Sequence, residues 1–539
     1  FRNKMDCAFT SSMLKALRDS AIERPHDIAM YDETGKVRSI SNRCLYDQVE
    51  KTSSFLRSHS FCSGDRAAIM MTNAIEFPIL HLGIWSCGGT IVGSSTLLNA
   101  DELRYQWIDS ETTVVFTTQI HLKTVMRAAR GCPAIRLIVS VRPSHDCDIE
   151  FDVIEETKEN SHVNSIKLGG SIDSLAIIYY TSGTTGTQKG VLHTHRSLLA
   201  GVEIYSRFIL NEAHPAVDIA PEDSLKEHQI LPTPFFHLMG FLYLNVCILT
   251  GLPAVIHFTA DPDELLRMIA VYKPQFLLTY PHMVQSLTKK GDADMGSVKV
   301  MVSSGSRLRR ELSEAFIQRF PSVKYLAQGF GMTEVGFTHL PLLIDQCSLD
   351  SVGVAVKEYE QKIIDINRPR ECLAGELGEL CLRGPSVTAG YLNKEKETKE
   401  IIDEDGWIHT GDIGYVNELG ELHLVDRMKD TINIDYKGTA HRVFPYLIER
   451  VLLNCPMVAD AAVAGCSDGR GNEWIRAFIV KEDPLLDHGD IHELVTENLP
   501  DFMWLTGGIR FVQQIPRSGG GKILRRFLQI DPVAKRNTA

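Results

Sequence analysis

Mostly apolar runs of four to six residues alternate with longer amphipathic stretches through most of the chain. Residues 67–71, 113–117, 137–141, 175–180, 276–279 and 298–302 are such runs. Apolar runs of this length, bounded by polar residues, predict strands buried on both faces, as in parallel sheets. Residues 79–87 carry the pattern of a helix joining two of these strands. The alternation predicts an α/β fold with largely parallel sheets. The longest apolar stretch, residues 241–258, is interrupted by Asn245, Thr250, Gly251 and Pro253. It predicts a core helix followed by a strand, not a membrane span.

The pattern changes near residue 430. Residues 421–425 predict a strand that runs into the charged segment Asp426-Arg427-Met428-Lys429-Asp430. Beyond it come a helix over 445–453, strands over 459–464 and 474–480, and a helix over 491–498. This smaller α+β pattern sets a domain boundary at Met428–Lys429, dividing a large N-terminal domain, 1–428, from a small C-terminal domain, 429–539. The polar segments 221–228 and 482–490 predict loops.

A chain of 539 residues exceeds what one core usually holds, which agrees with two domains. Its net charge of -12 speaks against nucleic acid as the main partner. The basic cluster Arg307-Leu308-Arg309-Arg310 is expected to be a solvated helix face. The twelve cysteines contain no Cys-x-x-Cys pair, so no zinc or thioredoxin-type motif is indicated. Without a secretory signal they are expected to be reduced thiols in the cytoplasm. Met5 is a candidate natural start, and the final Asn537-Thr538-Ala539 is not the peroxisomal Ser-Lys-Leu address.

The chemistry concentrates first at Tyr179-Tyr180-Thr181-Ser182-Gly183-Thr184-Thr185-Gly186-Thr187-Gln188-Lys189-Gly190. A buried strand breaks here into small hydroxyls and glycines ending in one lysine. Glycines let backbone N–H groups converge on an anion, hydroxyls add donors, and Lys189 adds charge. That is triphosphate-binding chemistry. Gly190 stands where a phosphate-loop NTPase would have Ser or Thr, so that motif is excluded. The stretch closely resembles the phosphate-binding loop of adenylate-forming enzymes, among them acyl-CoA synthetases, coumarate-CoA ligases and firefly luciferases.

Other motifs extend the resemblance over nearly the whole chain, from Glu23-Arg24-Pro25 and Asn73-Ala74-Ile75-Glu76-Phe77 onward. Gln328-Gly329-Phe330-Gly331-Met332-Thr333-Glu334 is similar to the family's adenine and metal motif. Gly329 and Gly331 would let the backbone approach a flat base and Phe330 would stack on it. Thr333 would donate to the α-phosphate, and Glu334 is a hard oxygen ligand suited to Mg²⁺. Trp407-Ile408-His409-Thr410-Gly411-Asp412 implies a ribose contact through Asp412, which can accept two hydroxyl hydrogen bonds. Arg427 would reach the same ribose, and Lys429 matches the family's hinge. His237, in Phe235-Phe236-His237-Leu238-Met239-Gly240, would orient the carboxylate or line the thiol's approach. Lys522, in Pro516-Arg517-Ser518-Gly519-Gly520-Gly521-Lys522, matches the family's catalytic lysine. A glycine like Gly438 borders the thiol channel.

The resemblance therefore implies a large multi-sheet domain with a small mobile C-terminal lid. It implies activation of a carboxylic acid by ATP to acyl-AMP and pyrophosphate, then transfer to CoA or to the phosphopantetheine of an acyl carrier protein. Phe236, Leu238, Met239, Phe241 and Phe330 are expected as apolar pocket walls, favouring a fatty or aromatic acid. Two departures stand out. The stretch 430–445 is expected to be a loop about four residues longer than usual in relatives, with Asn433 where a lysine is common. Ser303-Ser304-Gly305-Ser306-Arg307-Leu308 carries Arg307 in place of proline, directed to solvent or to an anionic substrate group.

Overall fold

The computed structural model describes residues 9–34, 37–141, 149–150, 171–182, 188–257, 261–291, 293–343, 348–467, 473–517 and 523–528. The chain is mixed α/β, with a large N-terminal portion followed by a small C-terminal one. Its contacts group into two compact units: Phe1–Glu360 with Arg383–Ile408, and Gln361–Leu382 with His409–Ala539.

The first unit is built around a seven-stranded sheet. Its strands lie in the order Ile149–Glu150, Leu137–Ser140, Val114–Thr117, Arg66–Met70, Thr90–Gly93, Leu175–Ser182, Gln188–Thr194. All neighbours are parallel except the last two, which form an antiparallel hairpin. From Arg66–Met70 the chain pairs first on one side with Thr90–Gly93 and then on the other with Val114–Thr117. Such a reversal is where open α/β sheets bind ligands, beyond the carboxyl ends of the strands. The strand Leu175–Ser182 ends on that side.

A second sheet orders Gln229–Leu231, Ala254–Ile256, Ile28–Asp32 and Arg38–Ser41. A third aligns Phe276–Thr279, Val300–Ser303 and Tyr325–Gln328, all parallel. Its outer sequel is an antiparallel trio, Phe330–Met332, Gly336–Leu340 and Val354–Ala355. The centres of the apolar runs are buried, as their lack of alternation requires: Val300, Met301 and Val302 expose no surface. The stretch from residue 241 is the helix Leu238–Thr250 followed by the strand Ala254–Ile256. Among the described residues no helix is long and apolar enough to cross a membrane.

The second unit holds most of a four-stranded sheet, Glu360–Ile364, Gly378–Arg383, Ile408–Val416 and Leu422–Arg427. It continues into strands Val458–Ser467, Glu473–Lys481 and Ile509–Phe511, with the helix Pro445–Leu453 packed on the first of these. Two local expectations are corrected. The segment 482–490 is not all loop, because a reciprocal cap between Asp487 and Asp490 starts a helix at His488. The stretch 430–445 is a β-hairpin, Ile432–Tyr436 against Thr439–Val443. Its two-residue turn puts Lys437 at φ 52° and Gly438 at φ 78°, the doubly positive pair that two-residue hairpins favour. Ile432 and Val443 bury the hairpin's inner face in the C-terminal core.

Candidate active site

The hairpin that ends the seven-stranded sheet carries the phosphate-loop sequence at its tip. Thr181 pairs with Lys189 and Ser182 with Gln188, so the two strands converge on the residues between them. Gly183, Thr184, Thr185 and Gly186 lie outside the described residues. The loop end of the hairpin is held to the helix Ala100–Asp109: Tyr105 Oη donates to the Gln188 carbonyl at 3.0 Å, and Gln106 Nε2 to Gln188 Oε1 at 2.8 Å. Tyr180 Oη donates to Asp109 Oδ2 at 2.8 Å.

Lys189 is held beside a residue that sequence reasoning missed. Its Nζ lies 4.9 Å from the centroid of the Tyr391 ring, within cation–π range. Tyr391 Oη in turn donates to Glu334 Oε1 at 2.9 Å. The backbone builds this contact, since Tyr391 bridges to Val191 and Leu392 N–H donates to the Gly190 carbonyl at 2.7 Å. Lys189, Tyr391 and Glu334 thus form a line of cation, ring and carboxylate from three separate stretches. Glu334 sits in the turn between Phe330–Met332 and Gly336–Leu340 and is 7 % exposed.

His193 fixes that turn from the other side. Its Nε2–H donates to the Thr333 carbonyl at 2.6 Å, while Nδ1 faces Ser197 Oγ at 3.1 Å. Burial pushes its pKa down to about 4, so the ring is neutral near pH 7. Thr333 itself is half-buried.

The rest of the heptapeptide is turned inward. The Gln328 side chain accepts from Leu308 N–H at 2.7 Å and donates to the Leu349 carbonyl at 2.8 Å. It clamps the Arg307-bearing turn to the loop between the second and third strands of the antiparallel trio. Phe330 is buried and packs edge-on to His339 at 5.7 Å. Gly331 allows close strand approach: a Cβ there would stand 2.3 Å from the Gly336 carbonyl oxygen. Gly329 has more room, with its nearest neighbour at 3.4 Å.

His237 begins the helix Leu238–Thr250. Its ring is open to solvent yet surrounded by dense protein, the condition of a side chain in a recess, and this surrounding pushes its pKa down. The segment leading to it is clamped by Asn73, which donates to the Thr233 carbonyl at 2.8 Å and accepts from Phe235 N–H at 2.9 Å. Most of the expected apolar walls are closed off from solvent. Phe241 is wholly buried in an aromatic cluster with Phe77, His81, Trp85 and Tyr179, and Phe236 and Leu238 are also buried. Met239 keeps partial exposure.

In the second unit, Asp412 and Arg427 face each other across the strands Ile408–Val416 and Leu422–Arg427. Arg427 Nε lies 2.7 Å from Asp412 Oδ1 and its terminal nitrogen donates to Oδ2 at 3.3 Å. The Thr410 hydroxyl accepts from Asp412 N–H at 3.0 Å and itself donates to the Leu380 carbonyl at 2.8 Å. Lys429 lies in the single turn Met428–Asp430, and Gly438 in the hairpin turn. Lys522 lies outside the described residues; the ends of its loop are joined by a bridge between Arg517 and Ile523. The basic cluster is a solvated helix face only at Arg310, which starts the helix Arg310–Arg319, is exposed and pairs with Glu314; Arg307 and Arg309 precede the helix half-buried, and Leu308 is buried.

Comparison with known proteins matches two regions of the chain. The family model for AMP-binding enzymes matches residues 17–392, and that for the AMP-binding enzyme C-terminal domain matches residues 447–522. A 2-succinylbenzoate–CoA ligase of Bacillus licheniformis is 30 % identical over 488 residues, covering 90 % of this chain and 93 % of the relative. Peroxisomal OPC-8:0-CoA ligase 1 of Arabidopsis thaliana is 29 % identical over 494 residues, covering 90 % and 87 %. The fold is shared with ATP-bound MatB from Rhodopseudomonas palustris, at a TM-score of 0.82 and 22 % identity over 96 % of this chain and 98 % of that one.

Proposed function

This chain belongs to the AMP-binding enzyme family, and from that premise we propose that it activates a carboxylic acid with ATP and passes the acyl group to CoA. A carboxylate oxygen attacks the α-phosphorus, and the bond to pyrophosphate breaks. The thiol then loses its proton and attacks the acyl carbon, releasing AMP and leaving a thioester. No enzyme nucleophile is needed, so positioning and electrostatics carry the work. The line Lys189–Tyr391–Glu334 is the observation that carries this reading. It sets a cation and a carboxylate beside a loop of triphosphate-binding sequence.

Lys189 and the loop Thr181 to Gly186 are assigned to the phosphates, and Thr333 to the α-phosphate. Glu334 would hold Mg²⁺, a hard ion suited to a carboxylate oxygen, which would supply charge neutralisation on the phosphates. Gln328 and His193 act by fixing the backbone around Gly329, Phe330 and Thr333. Asp412 and Arg427 are assigned to the ribose, their pairing keeping both side chains oriented. His237, neutral and solvent-facing, is assigned to the acid or thiol; Lys522 to catalysis; Lys429 to the hinge between 1–428 and 429–539; and Gly438 to the thiol's approach.

The acid is taken to be fatty or aromatic, and the relative named for 2-succinylbenzoate supports the aromatic choice. The nine free cysteines among the described residues suit a reducing compartment such as the cytoplasm. The hairpin Ile432–Val443 favours one second reading, in which the thiol belongs to a carrier-protein phosphopantetheine, because it adds an exposed turn at the expected thiol entrance.

Incubation with Mg-ATP and a panel of fatty and aromatic acids, with and without CoA, tests the reading by mass detection. Acyl-CoA formed only with CoA present is the expected result. Acyl-AMP that accumulates and ignores CoA would replace it with the carrier-protein reading, and neither product with any acid would overturn both.

Tyr391→Phe keeps the ring beside Lys189 and removes the hydrogen bond to Glu334. Such a bond to a charged group is worth about 1.5–3 kcal/mol. The variant is expected to fold normally and to lose about tenfold or more in kcat/KM for Mg-ATP. Wild-type kinetics would remove Tyr391 from the site.

A further inference from the structure

Glu379, Cys381 and His409 place three metal-binding atoms together in the second unit, all within 4.8 Å of one another. Glu379 and Cys381 are two apart on the strand Gly378–Arg383, so their side chains leave the same face. His409 stands on the neighbouring strand Ile408–Val416. Its Nδ1 lies 3.4 Å from Cys381 Sγ and 3.0 Å from Glu379 Oε2. At zinc bond lengths of 2.0–2.3 Å, the ligand atoms of a tetrahedral ion lie roughly 3.3–3.6 Å apart. The two contacts of His409 Nδ1 need to lengthen by only a few tenths of an ångström to admit one, and the Cys381 and Glu379 ligand atoms lie within 4.8 Å of each other.

The chemistry of the set is selective. A thiolate, an imidazole and a carboxylate suit a thiophilic divalent ion and not Mg²⁺ or Ca²⁺. Thiolate and carboxylate together carry two negative charges, which balance the ion. Cys381 is fully buried, whereas Glu379 and His409 are partly exposed, so solvent can reach the centre and complete the coordination. Placement on strands, not loops, fixes the three Cα positions.

We propose that Glu379, Cys381 and His409 form a binding site for a divalent ion of the zinc class, with a water as fourth ligand. The site is coupled to Asp412. Glu379 Oε1 accepts from Gly411 N–H at 3.1 Å, so the carboxylate that would bind the ion also holds the turn leading into Asp412. Occupancy thereby acts on the orientation of the Asp412–Arg427 pair.

Cobalt(II) titration of the full chain, with a non-thiol reductant present, tests this. One equivalent is expected to give a thiolate-to-cobalt charge-transfer band with the visible bands of a four-coordinate ion, and zinc should displace it. Cys381→Ser should abolish the charge-transfer band. Glu379→Gln, which keeps the side chain's shape, should weaken binding about tenfold or more. Absence of the band in the wild-type chain overturns the site. So does a band that persists in Cys381→Ser, since another thiol would then be the ligand. Should Cys381→Ser fail to fold, Cys381→Ala carries the same test.

Discussion

Replacing Lys522 with alanine is expected to slow acyl-AMP formation a hundredfold or more while sparing thioester formation from supplied acyl-AMP. Two anions must meet in the first step, the acid's carboxylate and the α-phosphate, and charge grows as pyrophosphate leaves. A fixed cation between them offsets that repulsion, and removing one donor aimed at developing charge costs roughly 2.7–4 kcal/mol in other enzymes. In the second step the acid is already joined to AMP and the repulsion is gone. The base of the Lys522 loop is built for a fixed position. Arg517 bridges to Ile523 and pairs with Asp460 at 2.9 Å, and Leu524 N–H donates to the Pro516 carbonyl at 2.8 Å. Pyrophosphate exchange measures the first step, and CoA transfer from synthetic acyl-AMP the second. Loss of both in equal measure would point to misfolding, and loss of neither would remove Lys522 from catalysis.

Much of the fold was legible because the parallel strands are buried on both faces and therefore stand out as apolar runs. The strand Phe276–Thr279 and the helix Pro445–Leu453 fall where their sequences set them. Elements governed by finer signals were not. Asp435, Lys437 and Gly438 interrupt the alternation around Ile432 and Ile434, and hid a hairpin inside an expected loop.

The site divides in the same way. Motifs contiguous in sequence were visible, but partners brought in by folding were not. Tyr391 lies 57 residues from Glu334, and His193 lies 140 from Thr333. Their meeting depends on the bridge between Val191 and Tyr391, which no local pattern encodes. Gln328 shows the converse limit. A glutamine beside two glycines has the same sequence whether its amide faces a ligand or, as here, two backbone groups. Glu379, Cys381 and His409 escaped for a related reason, since a search for Cys-x-x-Cys spacing sees neither the i, i+2 pair on one strand nor the histidine beside it.

Arg525→Ala is expected to destabilise the C-terminal core more than any other single change in the second unit described here. Arg525 NH2 lies 2.6 Å from Glu449 Oε1, and its Nε–H donates to the Val463 carbonyl at 3.0 Å. Glu449 also accepts from Val463 N–H at 2.8 Å, so the pair is sewn to the middle of the strand Val458–Ser467. Both side chains are largely withdrawn from water, at 12 % and 8 % exposure. Deleting one partner of a buried pair strands the other charge, at a cost of about 3–5 kcal/mol. Protection of the strand's amides against hydrogen exchange should therefore fall roughly a hundredfold to a few thousandfold.

The defect should also depend on pH. Burial already raises the Glu449 pKa, and without the guanidinium it rises further above the unfolded value. A carboxyl whose folded pKa is raised contributes most below its unfolded pKa and loses that contribution as pH climbs through the folded one. The variant should thus lie nearer to wild type at about pH 5 than at about pH 8. Arg525→Met combined with Glu449→Leu removes the stranded carboxylate and should recover part of the protection, since apolar replacement of a buried pair is often neutral or stabilising, while Asp430, 3.7 Å from Arg525, still loses its partner. Unchanged protection in Arg525→Ala, or a double variant no better than the single one, would show that the pair does not hold this core. Because Arg525 follows Lys522 by three residues, the same anchor keeps the end of the lysine's loop in register with the sheet.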